Sequence, residues 1–105
     1  MLCFEFLYEF PGWPRGTRGR ENLFTLYSGY GRNIRLDRRD SLHVHPSDNG
    51  RVVTLEYEVH GRILANNAAY DNRFVSIATI EDRKIMHWRD YMDSLAAWMA
   101  MNKPA

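Results

Sequence analysis

One carboxylate in the last third of the chain is placed where it could transfer protons. Asp90 shares one face of an extended segment with three apolar side chains, those of Met86, Trp88 and Met92. If that face is buried, desolvation raises the pKa of the carboxyl group and suits it to proton transfer near neutral pH. The alternative is an ordinary ion pair with an arginine such as Arg89 or Arg73.

Polar side chains on an earlier segment could assist such a transfer. Glu56, Glu58 and His60 are spaced by two residues, so they share one face of a strand. With Asp90 opposite, Glu58 or His60 could complete an acid–base pair whose environments separate the two pKa values. A solvated strand face explains the same pattern, because one side of an antiparallel sheet commonly points to water.

Two polar side chains and a tryptophan could bind a ligand. Tyr70 and Asn72 share a face with Phe74 and could donate hydrogen bonds to a substrate oxygen. Alternatively, Phe74 marks that face as core and the polar pair lies at its rim. Trp88 could line an apolar pocket, although tryptophan side chains more often pack in the core.

The sequence gives little support to chemistry that depends on a metal, a nucleotide cofactor or a serine nucleophile. His43 and His45 have a spacing that can chelate a metal, but two imidazoles do not make a site, so we expect no metal. The sequence has no phosphate-binding glycine loop and no dinucleotide fingerprint, and its serines lie in no nucleophile elbow. We therefore expect no cofactor, and we exclude kinases, nucleotide hydrolases and dehydrogenases.

Composition indicates one small globular domain. Of the 105 residues, 45% are hydrophobic and 13% aromatic, enough to build a core. Net charge is +1, so no strong field would recruit nucleic acid. The single cysteine, Cys3, allows no internal disulfide. The first ten residues lack a basic leader and no apolar run approaches a bilayer's thickness, so we expect a cytoplasmic protein without membrane attachment.

The elements that would position these side chains are read from periodicity. Residues 2–10 alternate like a half-buried strand, and a loop rich in proline and glycine follows over 11–19. A short helix over 23–30 ends at Gly29 and Gly31. Strands are predicted over 34–45, 51–64, 70–80 and 84–92, and a final helix over 94–101. The tight turns between these strands predict antiparallel pairing and an α+β class.

Several segments in a fixed order resemble the SnoaL-like family of the nuclear transport factor 2-like superfamily. They are residues 70–74, the turn at Asp82 and residues 88–93. Phe10-Pro11, Gly19-Arg20-Glu21 and the following helix are similar to the family's middle section. The phenazine-biosynthesis and limonene epoxide hydrolase branches are similar here too. The resemblance covers nearly the whole chain and is strongest over 50–95; order and spacing carry it rather than any single motif.

The resemblance implies a strongly curved antiparallel sheet wrapped by a few helices into a cone, a cystatin-like roll open at one end to an apolar pocket. It also implies homodimers and, in many members, cofactor-free activity on steroid-, terpenoid- or polyketide-like molecules. Others have no known activity, so a non-catalytic ligand-binding or dimerisation module is the alternative. Members usually begin with two helices, whereas this sequence starts at a strand, so we expect one N-terminally short domain over residues 1–105.

Comparison with limonene epoxide hydrolase bears on the type of reaction. The resemblance places Asp90 where that enzyme carries a catalytic carboxylate. The enzyme also needs an arginine that bridges two carboxylates, and the nearest positions here hold Glu56 and Glu58. Arg62 or Arg73 could substitute, but epoxide hydrolysis is disfavoured. The expectation is an acid–base reaction of isomerase, cyclase or hydrolase type on a small apolar molecule.

Overall fold

The computed structural model describes residues 2–104, which form six strands and two helices. In chain order these are β1 (Cys3–Phe6), β2 (Gly16–Arg18), α1 (Arg20–Asn33), β3 (Ile34–Pro46), β4 (Val52–Ile63), β5 (Ala69–Glu81), β6 (Lys84–Met92) and α2 (Ser94–Met101). The predicted α+β class is confirmed, with the strands gathered in one open sheet.

The sheet is mixed rather than wholly antiparallel. Its strand order is β2-β1-β6-β5-β4-β3, and β3 to β6 form the predicted antiparallel meander. The first strand, however, pairs parallel with β6. Tight turns dictate antiparallel neighbours only for consecutive strands, and the whole meander separates β1 from β6. The prediction of a purely antiparallel sheet is therefore wrong at this one pair.

Three predicted boundaries differ near the N-terminus. The first strand ends at Phe6 instead of continuing to residue 10. Residues 16–18, predicted as loop, form the short strand β2 against β1. The first helix runs from Arg20 to Asn33 and passes through both glycines that were expected to end it. An interior glycine costs a helix only about 1 kcal/mol, which packing of its neighbours can offset.

The concave face of the sheet carries the apolar side chains. Alternation in β4 is as predicted: Val59 and Ile63 are buried while Glu56 lies exposed on the other face. The second helix packs on β5 through Ala97 and Ala100. No helix within residues 2–104 combines the length and the apolar character that crossing a bilayer requires.

Three register shifts interrupt the alternation of side chains. One lies between Asp40 and His43 of β3, and the other two precede charged residues of the cavity. In β3, Leu36 pairs with Gly61 and Arg38 pairs with His60, so Asp37 is an extra residue without a partner on β4. In β6, Ile85 pairs with Ile80 and His87 pairs with Thr79, so Met86 is extra. A β-bulge of this kind moves every following side chain to the opposite face.

Candidate functional site

A cavity of about 710 Å³ lies over the concave face of the sheet. Its lining combines residues of the sheet, both helices and the segment after β1. This volume is typical of sites that enclose a small molecule. Among the lining residues that the structure describes, only Arg39 and Asp90 have charged side chains. The cavity is therefore a largely apolar chamber with one cation and one anion.

The carboxylate of Asp90 is buried in this cavity, with 5% of the residue exposed. Ser76 Oγ donates to Oδ1 over 2.6 Å, and Trp88 Nε1 donates to the same oxygen over 2.5 Å. No group within residues 2–104 donates a hydrogen bond to Oδ2. Burial raises the pKa of Asp90, and the two hydrogen bonds offset part of that rise.

A short chain of hydroxyl groups supports this carboxylate. Tyr57 Oη lies 2.8 Å from Ser76 Oγ. Because Ser76 gives its only proton to Asp90, its oxygen accepts from the Tyr57 hydroxyl. This hydrogen-bonded chain from Tyr57 through Ser76 to Asp90 holds the carboxylate in one orientation and leaves its Oδ2 for a ligand.

Five of the six tyrosines line the cavity, namely Tyr8, Tyr27, Tyr30, Tyr57 and Tyr70. Burial is the main cause that raises the pKa of every one of them. Their hydroxyl groups consequently stay protonated across the physiological range. The chamber thus offers several neutral hydrogen-bond donors around a single carboxylate.

Trp88 lies beside Asp90 but not in the lining of the main cavity. Its indole stacks on Phe4, with ring centroids 5.7 Å apart and planes inclined by 13°. Both rings line a smaller cavity of about 230 Å³, which also reaches Asp90. Trp88 therefore positions the carboxylate, and its predicted contact with a ligand stays a prediction.

No protein-family profile matches the chain. The uncharacterised protein YesE of Bacillus subtilis is 25% identical over 92 residues, which are 88% of this chain and 63% of YesE. The chain thus spans less than two thirds of that relative's length.

Solved structures are more informative. A candidate isomerase from Bacillus subtilis superposes with a TM-score of 0.87 at 24% identity, over 94% of this chain and 71% of its own. A nuclear transport factor 2-like protein from Burkholderia xenovorans gives 0.80 at 21% identity, over 96% and 75%. The chain has the nuclear transport factor 2-like fold. A candidate SnoaL-like polyketide cyclase from Mesorhizobium loti also matches, with a TM-score of 0.69 at 20% identity, over 86% and 74%.

Two of the predicted site residues lie in the cavity of this nuclear transport factor 2-like fold. Asp90 and Tyr70 both line it. The prediction that Asp90 shares a strand face with apolar residues is confirmed for Trp88 and Met92, which pair with concave-face residues of β5. It is wrong for Met86, which is the bulge residue.

Asn72 has a different place from the one predicted, because its amide is fully engaged within the protein. Its Nδ2 donates to Tyr70 Oη over 2.8 Å and to the Asp93 carbonyl over 3.1 Å. Its Oδ1 accepts from the backbone amides of Arg73 and Asp93. The residue is buried and is absent from the cavity lining. Asn72 therefore orients the Tyr70 hydroxyl and ties β5 to the start of α2, which corrects the prediction that it contacts a ligand.

Glu58 and His60 lie on the convex face of the sheet. His60 pairs with Asp71 in register, whereas Asp90 pairs with Ser76, five residues further along β5. An odd separation along a regular strand puts two side chains on opposite faces. This corrects the expectation that either residue faces Asp90.

His60 is instead held between two carboxylates on neighbouring strands. Its Nδ1 lies 2.6 Å from Asp71 Oδ1, and its Nε2 lies 3.2 Å from Asp40 Oδ1. These hydrogen bonds raise the pKa of His60, with Asp71 the larger cause. The structure therefore uses His60 to join β3, β4 and β5 on their outer face.

Residues that could hold a metal ion also lie on this outer face. Asp40, Glu58 and His60 each place one potential ligand atom within 4.8 Å of the others. Of the predicted histidine pair, His45 Nε2 lies 2.7 Å from Glu56 Oε2, so that imidazole has a carboxylate partner. Neither group lies in the cavity lining.

Sequence reasoning missed two residues that line the cavity, Arg39 and Tyr57, and the buried Ser76 that donates to Asp90. Counting back from the turn at 82–83, a regular hairpin would place Ser76 opposite Arg89. The bulge at Met86 shifts the register by one, so that Ser76 meets Asp90. The alternation of β4 does place Tyr57 on the buried face, and that signal could have found it.

Proposed function

We propose that the chain is a cofactor-independent acid–base catalyst that moves a proton on a small, largely apolar molecule. One observation carries the proposal: Asp90 is a buried carboxylate with one oxygen held by two donors and the other without a donor from residues 2–104. A candidate isomerase and a candidate polyketide cyclase among the structural neighbours have compatible chemistry. Those names describe the neighbours, and the activity is our proposal for this chain.

In the proposed reaction Asp90 acts as the general base. Its Oδ2 accepts a proton from a carbon next to a carbonyl group. The electron pair of the broken C–H bond forms a C=C bond, and the π pair of the carbonyl moves onto its oxygen to give an enolate. Protonated tyrosines of the lining, such as Tyr70, donate hydrogen bonds to that oxyanion. In an isomerisation, Asp90 returns the proton to another carbon of the conjugated enolate as the carbonyl re-forms. In a cyclisation, the enolate carbon attacks a second carbonyl of the same molecule, and the alkoxide so formed takes the proton back from Asp90. Both outcomes start from the same proton abstraction.

A substrate-independent assay tests the base directly. The compound 5-nitrobenzisoxazole loses its ring C–H proton to a base while its N–O bond breaks, and the resulting phenolate absorbs visible light. We expect the protein to accelerate this elimination, and Asp90→Asn to lower kcat/KM by about 100-fold or more, the usual contribution of a positioned base. The rate should rise with pH through the raised pKa of Asp90 and then level off.

The matched control is Asp82→Asn, which makes the same chemical change in an exposed turn. Asp82 has a backbone φ of 50°, a conformation that asparagine tolerates. This variant should react like the wild type, and near-UV circular dichroism should show both variants folded. Equal rates for folded Asp90→Asn and wild type would contradict the proposal.

The second candidate is a binding module that holds an apolar ligand without converting it. The aromatic lining favours this reading independently of the carboxylate. It predicts no elimination above the buffer rate and an unchanged ligand affinity in Asp90→Asn. Homodimer formation and a cytoplasmic location stay predictions from the sequence.

A further inference from the structure

Arg39 differs from the other two arginines of β3, Arg35 and Arg38. Arg35 Nε donates to Asp37 Oδ1 over 3.0 Å, and Arg38 Nε donates to Asp40 Oδ2 over 3.3 Å. Each of these arginines therefore has a carboxylate two residues further along the chain. Within residues 2–104, Arg39 forms no ion pair, and its side chain contributes to the lining of the main cavity.

The bulge at Asp37 is what places Arg39 on the cavity side. Leu36 lines the cavity, so regular alternation would put Arg38 on the same side and Arg39 on the convex face. Because Asp37 is extra, Arg39 pairs instead with Val59, a buried residue of the concave face. Bulges commonly re-aim a side chain next to a binding site.

Gly61 makes this bulge sterically feasible. It pairs with Leu36, and a Cβ atom added to it would lie 1.9 Å from the Arg35 carbonyl oxygen. Any larger residue would push β3 away from β4 just before the bulge. The backbone is thus shaped to direct a cation toward the cavity.

Arg39 and Asp90 reach the cavity from different strands of the sheet. They stand on β3 and β6, with two strands between them, which amounts to about 14 Å across a flat sheet. Tyr57 lines the cavity from β4, a strand between β3 and β6, and its hydroxyl lies 2.8 Å from Ser76 Oγ, the group that donates to Asp90. A molecule that reaches from Asp90 past Tyr57 would meet the guanidinium.

We infer that Arg39 is a recognition site for an acidic group, so that the molecule held in the cavity is an apolar skeleton bearing a carboxylate. The guanidinium donates paired hydrogen bonds that match the two carboxylate oxygens. Its position at the β3 edge leaves the reacting carbon near Asp90 and keeps the negative charge of the ligand away from that carboxylate. The inference rests on the proposal that the cavity holds a small molecule, and not on Asp90 being a base.

Two compounds of the same shape test this inference. Titration calorimetry with 2-naphthoate and with the neutral 2-naphthamide measures the preference for a carboxylate. We expect 2-naphthoate to bind about five- to tenfold tighter to the wild type, the range of one charge-assisted contact. Arg39→Gln should abolish this preference while leaving naphthamide affinity unchanged, and Arg39→Lys should retain part of it.

The control is Arg73→Gln, which removes an exposed cation from the convex face of the same sheet. It changes net charge by the same amount, so it should keep the preference if Arg39 acts by contact. A preference that survives Arg39→Gln, or that Arg73→Gln removes equally, would overturn the inference. The wild-type preference should also shrink as salt concentration rises, because the contact is near solvent.

The outcomes separate this inference from the proposed function. Equal affinity of the wild type for both compounds would overturn the role of Arg39 and leave the elimination assay untouched. If the wild type shows no elimination above the buffer rate but keeps its preference for 2-naphthoate, only the role of Asp90 as a base is overturned. If neither compound binds the wild type, the small-molecule cavity itself is refuted and this inference fails with it.

Discussion

Asp90 illustrates how a single side chain can be unfavourable for the fold and useful for chemistry. Burial favours its neutral form, and Ser76 and Trp88 supply two hydrogen bonds that favour the ion. Since the pKa is raised overall, burial outweighs those bonds. A carboxylate that is destabilised in this way is a stronger base than one in water.

This predicts a pH-dependent effect of Asp90→Asn on stability. A folded-state pKa above the unfolded value means that the carboxyl group's contribution is fully present below its unfolded pKa and is lost as pH rises through the folded pKa. Asparagine does not titrate and can still accept from Ser76 and Trp88. We therefore expect the variant to gain stability relative to the wild type as pH rises from acid to neutral.

The measurement is urea unfolding of both proteins at a series of pH values. The difference in the free energy of unfolding should be smallest at the acid end, where Asp90 is protonated in both states. Asp82→Asn should show no such trend. A variant that is less stable than the wild type at neutral pH, with the gap closing in acid, would mean that the ionised carboxylate stabilises the fold.

At the scale of elements, two bulges decide which charges enter the cavity. The extra residue Asp37 turns Arg39 inward, and the extra residue Met86 turns Asp90 inward. Without the second bulge, His87, Arg89 and Tyr91 would occupy the concave face of β6. Register shifts within β3 and β6 thus determine which charged side chains face the cavity.

Gly61→Ala tests the element that supports the first bulge. The new methyl group would meet the Arg35 carbonyl at 1.9 Å, so β3 must shift. We expect a loss of about 1–3 kcal/mol in the free energy of unfolding, as for other overpacked sites. Gly31→Ala is the control: it lies in α1 with nothing near its Cβ, and it should stabilise by up to about 1 kcal/mol. Urea unfolding of both variants measures the contrast, and a neutral Gly61→Ala would contradict the steric argument.

Across the whole molecule, the cavity is covered unevenly. The helix α2 packs on β5 through buried alanines, whereas α1 has no fully buried residue and no side-chain hydrogen bond at its N-terminal cap. It faces the cavity through aromatic contacts, such as those of Tyr27 and Tyr30 with Trp13. Few buried contacts imply that α1 opens more readily than the sheet.

Hydrogen exchange can measure this difference. We expect the amides of α1 to exchange faster than those of β4 and β5, with 2-naphthoate slowing exchange in α1 more than in the sheet. A ligand in the cavity would contact α1 residues such as Leu26 and Tyr30, and binding favours the closed state by mass action. Equal exchange rates in α1 and in the sheet of the free protein would contradict the weaker packing of α1. Slowing by 2-naphthoate that is confined to the convex face would show that the ligand binds outside the cavity.

Much of this organisation follows from the sequence itself. Alternation of apolar and polar residues marks the strands of the meander, and turn residues such as Asn49-Gly50 mark where they reverse. The apolar neighbours of Asp90 predicted a desolvated carboxylate, and the structure gives that group a raised pKa. These features depend on nearby residues, whose preferences act over a few positions of chain.

Tertiary structure alone decided which faces meet. The parallel pairing of β1 with β6, the inward turn of Arg39 and the outward position of His60 all depend on the register between strands. Periodicity tells which side chains share a face within one strand, but a single extra residue exchanges the two faces of everything after it. Register is settled by packing between segments far apart in the chain, so Glu58 and Asp90 could each be noticed in the sequence while their separation by the sheet could not.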